Sequence, residues 1–332
     1  MRPDEALAPI LESDAPYAAS GPAAPHADEP VRPAPPSQHY GLLYGSSVPM
    51  RELYQQIEKV APTALTVLIV GESGTGKELV ARTLHEKSPR DAGPFIPVNC
   101  GAIPATLIEG ELFGHEKGSF TGAIQQHAGY FERAAGGTIF LDEITEMVPE
   151  MQIKLLRVLE TSTFHRVGGT EQLSTDVRVI AATNRDPQVA VQEGRFREDL
   201  LYRLAVFPLR VPPLRERPAD IDLLAQRFLD QLNTTEKTRK RFARSTLDGL
   251  RQYHWPGNVR ELKNAVHRAF ILADDEVEVQ NPEPAPRNRR VVRREGSLEL
   301  AVGIPLPDAQ RELILATLAH FGGDKRQTAS TL

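Results

Sequence analysis

The sequence predicts a three-layer α/β domain on a mostly parallel sheet, followed by a small all-helical unit. Three observations lead there. Apolar runs of strand length alternate with helix-like segments up to about residue 212. The run 65–70 (LTVLIV) reads as a strand buried on both faces and ends at a glycine-rich turn that opens a helix. Strand signals then stop after Pro212 and Pro213.

The elements follow in order. Residues 1–40 hold nine prolines and nine alanines with little periodic hydrophobicity, which predicts a disordered arm. Helical spacing appears over 50–60 in Met50, Leu53, Ile57 and Val60. Strand 65–70 leads into helix 76–87, then short strand 95–98 and a third strand, 138–141. Pro149 opens a helix through Leu159, because proline suits a first helical turn. A fourth strand covers 177–182. These elements form an α/β unit over 41–212. Ile221, Leu224, Phe228 and Leu232 then mark one helix face, 245–253 is a candidate second helix, and 259–272 a further one with Asn258 and Glu261 at capping-box-like spacing. This helical unit closes near Ala273. Residues 274–303 are acidic, then proline-spaced, then basic, which suits a linker. A last helix begins near Asp308.

Bulk chemistry narrows the classes. Lys and Arg number 39 against 44 Asp and Glu, a net charge of −5, which argues against a globally basic nucleic-acid coat but leaves local patches open. The single cysteine, Cys100, cannot form an internal disulfide and suits a reducing cytoplasm. No apolar run approaches the roughly 20 residues of a membrane helix, and no secretory signal is evident. The expectation is a cytoplasmic protein with no membrane partner.

Gly71, Glu72, Ser73, Gly74, Thr75, Gly76 and Lys77 spell GxxxxGK directly after a strand and directly before a helix. The glycines let backbone amides face phosphate oxygens, the helix N-terminus adds positive potential, and Lys77 reaches the outer phosphates. Glu78 stands where a magnesium-ligating Ser or Thr is usual, so it points away or accepts a hydrogen bond. With Leu79 these residues form the candidate nucleotide cradle. Asp142 and Glu143 end the third strand, at the edge where parallel sheets bind ligands. There Asp142 would hold Mg2+, directly or through water, and Glu143 would polarise an attacking water. Asn184 and Asn99 end two other strands; each is a candidate for orienting that water or sensing the γ-phosphate, or an ordinary turn residue.

The segment 111–123 (ELFGHEKGSFTGA) narrows the reading further. With GESGTGKE, 196–204 (FREDLLYRL) and 255–262 (WPGNVREL), it resembles the central domain of bacterial sigma-54-dependent transcriptional activators over about 41–273. The family's GAFTGA loop reads here as Gly118, Ser119, Phe120, Thr121, Gly122 and Ala123. The absence of Ser or Thr at Glu78 is shared with that family. The resemblance implies an AAA+ P-loop NTPase with a helical lid, hydrolysing ATP with Mg2+ as a hexameric ring. It would remodel the closed complex of sigma-54 factor and RNA polymerase. Arg197 and Arg203 would be arginine fingers acting in trans, Arg260 a lid sensor acting in cis, and Asn99 a partner that holds Glu143 off. Read from residues alone, either arginine could instead pair with Glu198 or Asp199, and Phe120 could fold back on the core.

The end of the chain, from His320, resembles the start of a Fis-type helix-turn-helix, so 304–332 is expected to be a truncated form with weak contact to promoter-upstream DNA. Arg287, Arg289, Arg290, Arg293 and Arg294 could touch phosphates or simply be solvated. Control by a separate regulatory protein or by expression level fits a chain with no receiver domain before the motor. Two rivals are another AAA+ remodeller, which is not expected to carry the 118–123 loop, and a nucleotide-binding regulator that does not turn over, against which the intact Lys77, Asp142, Glu143 and arginine set argues.

Overall fold

The computed structural model of the chain describes residues 39–119, 123–279, 291–294, 297–300 and 306–331. At its centre is a parallel sheet of β1 (Val67–Val70), β2 (Phe95–Asn99), β3 (Thr138–Asp142), β4 (Arg178–Thr183) and β5 (Phe207–Arg210), ordered β2-β3-β4-β1-β5. Alternate strand residues feed two cores, as strands buried on both faces must. On one face Val67, Ile69, Phe140, Ile180 and Ala182 meet α1 (Val48–Val60) and α2 (Lys77–Glu86). On the other, Leu68, Ile139, Leu141, Val179 and Ala181 meet α3 (Pro149–Thr161) and α4 (Glu198–Leu204). Three layers result, as the sequence predicts.

β5 is a strand the sequence reading does not contain. It is four residues long and includes Pro208. Both edge strands carry a proline, Pro97 in β2 and Pro208 in β5; a missing N–H is tolerated where no further strand needs it. Buried Arg178 ties sheet to helix, donating to the carbonyls of Ala61 (2.7 Å) and Val60 (2.9 Å) at the end of α1. A two-stranded hairpin, Thr163–His165 with Gln172–Ser174, follows α3.

The helical unit consists of α5 (Ala219–Glu236), α6 (Arg244–Gln252) and α7 (Asn258–Leu272) around Leu224, Leu229, Trp255, Leu262 and Val266. Its core also takes in Val277 and Val279, because Glu276–Val277 pairs in parallel with Arg241–Phe242. The expected limit at 273 therefore falls short. Within the expected linker, Val291–Arg294 pairs antiparallel with Ser297–Leu300. The last helices are Leu306–His320 and Lys325–Thr331. At the other end, the expected arm up to residue 38 lies outside the described residues, while His39–Tyr40 pairs with Leu43–Tyr44. No helix among the described residues is long and apolar enough to cross a membrane.

Candidate functional site

The phosphate loop leaves β1 and enters α2 through backbone that only glycine adopts easily. Gly74 has φ +78° and Gly76 φ +102°. A Cβ on Gly74 would stand 2.4 Å from the carbonyl oxygen of Gly257, so a side chain there would collide with the helical unit. Lys77 is 8% exposed and donates to the carbonyls of Gly71 (2.9 Å) and Glu72 (3.3 Å). Burial pushes its ammonium down from the ordinary lysine range, opposed by the carboxylates of Asp142 and Glu143. The Thr75 hydroxyl closes the turn by donating to Glu72 O at 2.8 Å. The Glu78 carboxylate accepts from Arg82 one helical turn on.

β3 delivers the carboxylates. Asp142 Oδ1 accepts the Glu143 N–H at 2.9 Å, and burial raises the Asp142 carboxyl above its usual range. Glu143 sits at φ 53°, a left-handed conformation costly for a non-glycine residue and often found where geometry serves chemistry. Asn99 is the register partner of Asp142 on β2. Its Oδ1 accepts from the backbone of Gly101 (2.9 Å) and Ala102 (3.0 Å); among the described residues no hydrogen bond joins it to Glu143. Asn184 follows β4 and, with Glu143, Gly101 and Glu146, lines a small adjoining pocket.

Ser73, Gly74, Thr75, Gly76, Lys77, Glu78, Leu79, Asn99, Asp142, Glu143 and Arg260 line one cleft of about 700 Å³. Sequence reasoning missed half of its wall. Beyond the phosphate loop the cleft continues into a compartment of Leu42, Leu43, Met50, Val211, Leu224, Phe228 and Val259, with Tyr44 covered by the Arg227 guanidinium at 3.4 Å. These residues are dispersed in sequence; the nearest available signal was the paired start of the fold at Leu43–Tyr44. An apolar chamber joined to a phosphate-binding end has the chemistry of a nucleotide site. Among the described residues no group of three or more metal-ligating side chains occurs. A lone carboxylate beside a phosphate cradle fits Mg2+ carried in with a nucleotide, since Mg2+ takes one or two carboxylates with phosphates and water.

The helical unit grips the loop. Arg260 N–H donates to Gly74 O (3.3 Å) and its guanidinium to Ser73 Oγ (3.0 Å). Asn258 is not the helix cap that its spacing suggested: Gly257 takes that position, and its N–H donates to Glu261 Oε2 at 2.8 Å. Asn258, fully buried, reaches the phosphate loop instead. Arg197 and Arg203 do not line the cleft. Arg197 pairs with Asp199 (2.6 Å), and Arg203 donates to Leu159 O (2.7 Å).

The described residues on either side of 120–122 form a narrow neck. His115 and His127 exchange backbone hydrogen bonds, Gly118 N–H donates to Ala123 O at 2.8 Å, and Glu116 N–H donates to Val167 O at 3.0 Å on the following hairpin. Arg166, from the same hairpin, joins Glu116 (2.9 Å) and Glu132 (2.6 Å) on the two arms of the neck. Ser119 packs at Gly168, and its hydroxyl is buried without a hydrogen-bond partner among the described residues. Phe120, Thr121 and Gly122 lie outside the described residues.

Comparison with known proteins agrees with this geometry. Residues 43–210 match the Sigma-54 interaction domain, and 215–290 the AAA+ ATPase lid domain. Nitrogen fixation protein AnfA of Azotobacter vinelandii is 55% identical over 236 residues, which are 71% of this chain and 44% of AnfA. Transcriptional regulatory protein ZraR of Salmonella typhimurium is 45% identical over 301 residues, 90% of this chain and 67% of ZraR. The chain thus spans under half the length of AnfA. The crystal structure of NtrX from Brucella abortus in complex with ATP aligns with TM-score 0.67 at 37% identity, covering 89% of this chain and 67% of that one. With fold, phosphate loop, lid and matched domains in agreement, the chain belongs to the sigma-54 interaction domain family, with an AAA+ fold and its helical lid.

Proposed function

We propose that this chain hydrolyses ATP and uses the cycle to drive the 118–123 loop against sigma-54 factor bound to RNA polymerase, opening the promoter. The observation that carries the reading is the shared cleft: Lys77, Asp142, Glu143 and the lid's Arg260 line one chamber with an apolar extension of nucleotide-base character. Lys77 would pair the outer phosphates, and Glu143 would take the proton of the attacking water. Asp142 would hold Mg2+, which when bound would supply charge neutralisation on the phosphates. Asn184 would orient the water, and Asn99 would release or restrain Glu143 as the γ-phosphate comes and goes.

The same reading makes the protein a ring, hexameric by its family resemblance. Arg197 and Arg203 do not line their own chain's cleft; among the described residues the Arg197 side chain pairs with Asp199 and the Arg203 side chain donates to Leu159 O, and both would reach a neighbour's site. A permanently charged guanidinium would stabilise the leaving phosphate there. Transcription in vitro tests the function directly. Activity with sigma-54 polymerase, ATP-dependent and absent with the major sigma factor, is the expected result; ATP turnover without any promoter opening would favour another remodelling target.

A further inference from the structure

Glu72 lies inside the phosphate loop, yet its carboxylate faces the lid. Arg215, in the connection to α5, donates to both of its oxygens at 2.7 and 2.5 Å. Asn258, at the head of α7, donates to Glu72 Oε2 (3.1 Å) and to Ser73 O (3.0 Å), while its own Oδ1 accepts the Leu214 N–H at 2.8 Å. Asn258 is fully buried at φ 53°, a conformation asparagine tolerates better than most side chains. One amide therefore ties together the phosphate loop, the inter-domain connection and the lid's last long helix. Arg217 adds a further tie, donating to Thr75 O at 3.2 Å.

The geometry points to Glu72, Arg215 and Asn258 as a latch that sets how fast nucleotide leaves the cleft. This rests on the nucleotide reading of that cleft. The chamber has a loop wall (Ser73–Val80) and a lid wall (Leu224, Arg227, Phe228, Val259, Arg260, Lys263). A nucleotide between them escapes by separation of the two walls, and separation breaks the bonds of Glu72, which cross the seam beside those of Arg260 to Gly74 and Ser73. These are positioning residues: none of the three side chains lines the cleft. Arg215 and Glu72 are each about two-fifths exposed (43% and 41%), so the pair adds little to global stability while still gating a local motion.

The test is stopped-flow release of N-methylanthraniloyl-ADP, chased with unlabelled ADP, from the full chain. Glu72→Gln and Arg215→Gln should each speed release roughly three- to tenfold, as loss of a bidentate charged pair allows. The double variant should be no faster than the faster single, with melting temperatures nearly unchanged. Asn258→Asp should also speed release by setting a carboxylate against Glu72, and adding Glu72→Gln should slow it again. A merely structural role would not produce that reversal. Unchanged release, or single effects that multiply in the double variant, would overturn the latch. Failure of the unaltered chain to bind the labelled ADP would instead overturn the nucleotide reading beneath it.

Discussion

Asn99 and Asp142 are register partners at the carboxyl ends of neighbouring strands, and Glu143 follows Asp142 in a left-handed turn. The strand pairing therefore brings the candidate metal ligand, water-activating carboxylate and restraining amide to one edge of the sheet, beside Lys77. The proposed roles are separable. Lys77→Ala should lose ATP binding, because phosphate charge goes unpaired. Glu143→Ala should keep binding and lose turnover by roughly 10²–10⁴-fold, the usual worth of a general base. Equilibrium binding of a labelled nucleotide beside phosphate release distinguishes them; equal loss of binding in both would contradict these roles.

Arg203 predicts complementation between chains. ATPase activity should rise more than linearly with protein concentration. A mixture of Arg203→Ala and Lys77→Ala chains should recover part of the activity neither has alone, since some interfaces then pair an intact Lys77 with an intact arginine. Strict linearity with no rescue in a phosphate-release assay would mean a self-sufficient monomer.

How much of this was legible in sequence depended on distance along the chain. The phosphate loop could be read because strand, glycines, lysine and helix are contiguous and each is required by phosphate chemistry. Asp142 and Glu143 could be read for the same reason. The apolar compartment could not, since it joins Leu42–Tyr44 to Leu224, Phe228 and Val259. Asn258 was misread because its local spacing mimics a helix cap, whereas its partner Glu72 lies 186 positions away. The hairpin at 163–174 is short and polar; Gly168 and Gly169 between two brief strands were the available signal. β5 was missed because Pro208 counts against a strand until it is known to be an edge.

His85 predicts a pH dependence of stability. It is buried in α2 against Thr138 Oγ1 (3.0 Å), and burial lowers its pKa below the ordinary 6.5. The unfolded chain then binds the proton more readily, so this contribution is present above pH 6.5 and is lost as pH falls through the lowered folded value. Denaturant melts of the unaltered chain and of His85→Gln should differ in slope over that range. Identical slopes would mean that His85 is solvated in solution.

Cys100 is buried at the end of β2, and burial pushes its thiol up to about 12. At pH 8 it should resist iodoacetamide in the folded protein and react after unfolding, because the thiolate is the nucleophile. Mass spectrometry with and without denaturant reads this. Prompt labelling of the native chain would show the second strand's end to be open.

The central claim is that the cleft supplies energy and the 118–123 loop delivers it. Ser119 gives a control, since its hydroxyl is buried without a partner among the described residues. Ser119→Ala should be neutral or about 1 kcal/mol stabilising, and turnover should persist. Thr121 gives the decisive case, because it stands mid-loop and away in sequence from every phosphate-contacting residue. ATP turnover and promoter melting should be measured on one preparation of Thr121→Ala with sigma-54 polymerase. The account predicts turnover within a few-fold of the unaltered chain and no open complex; parallel loss of both, or of neither, would contradict it.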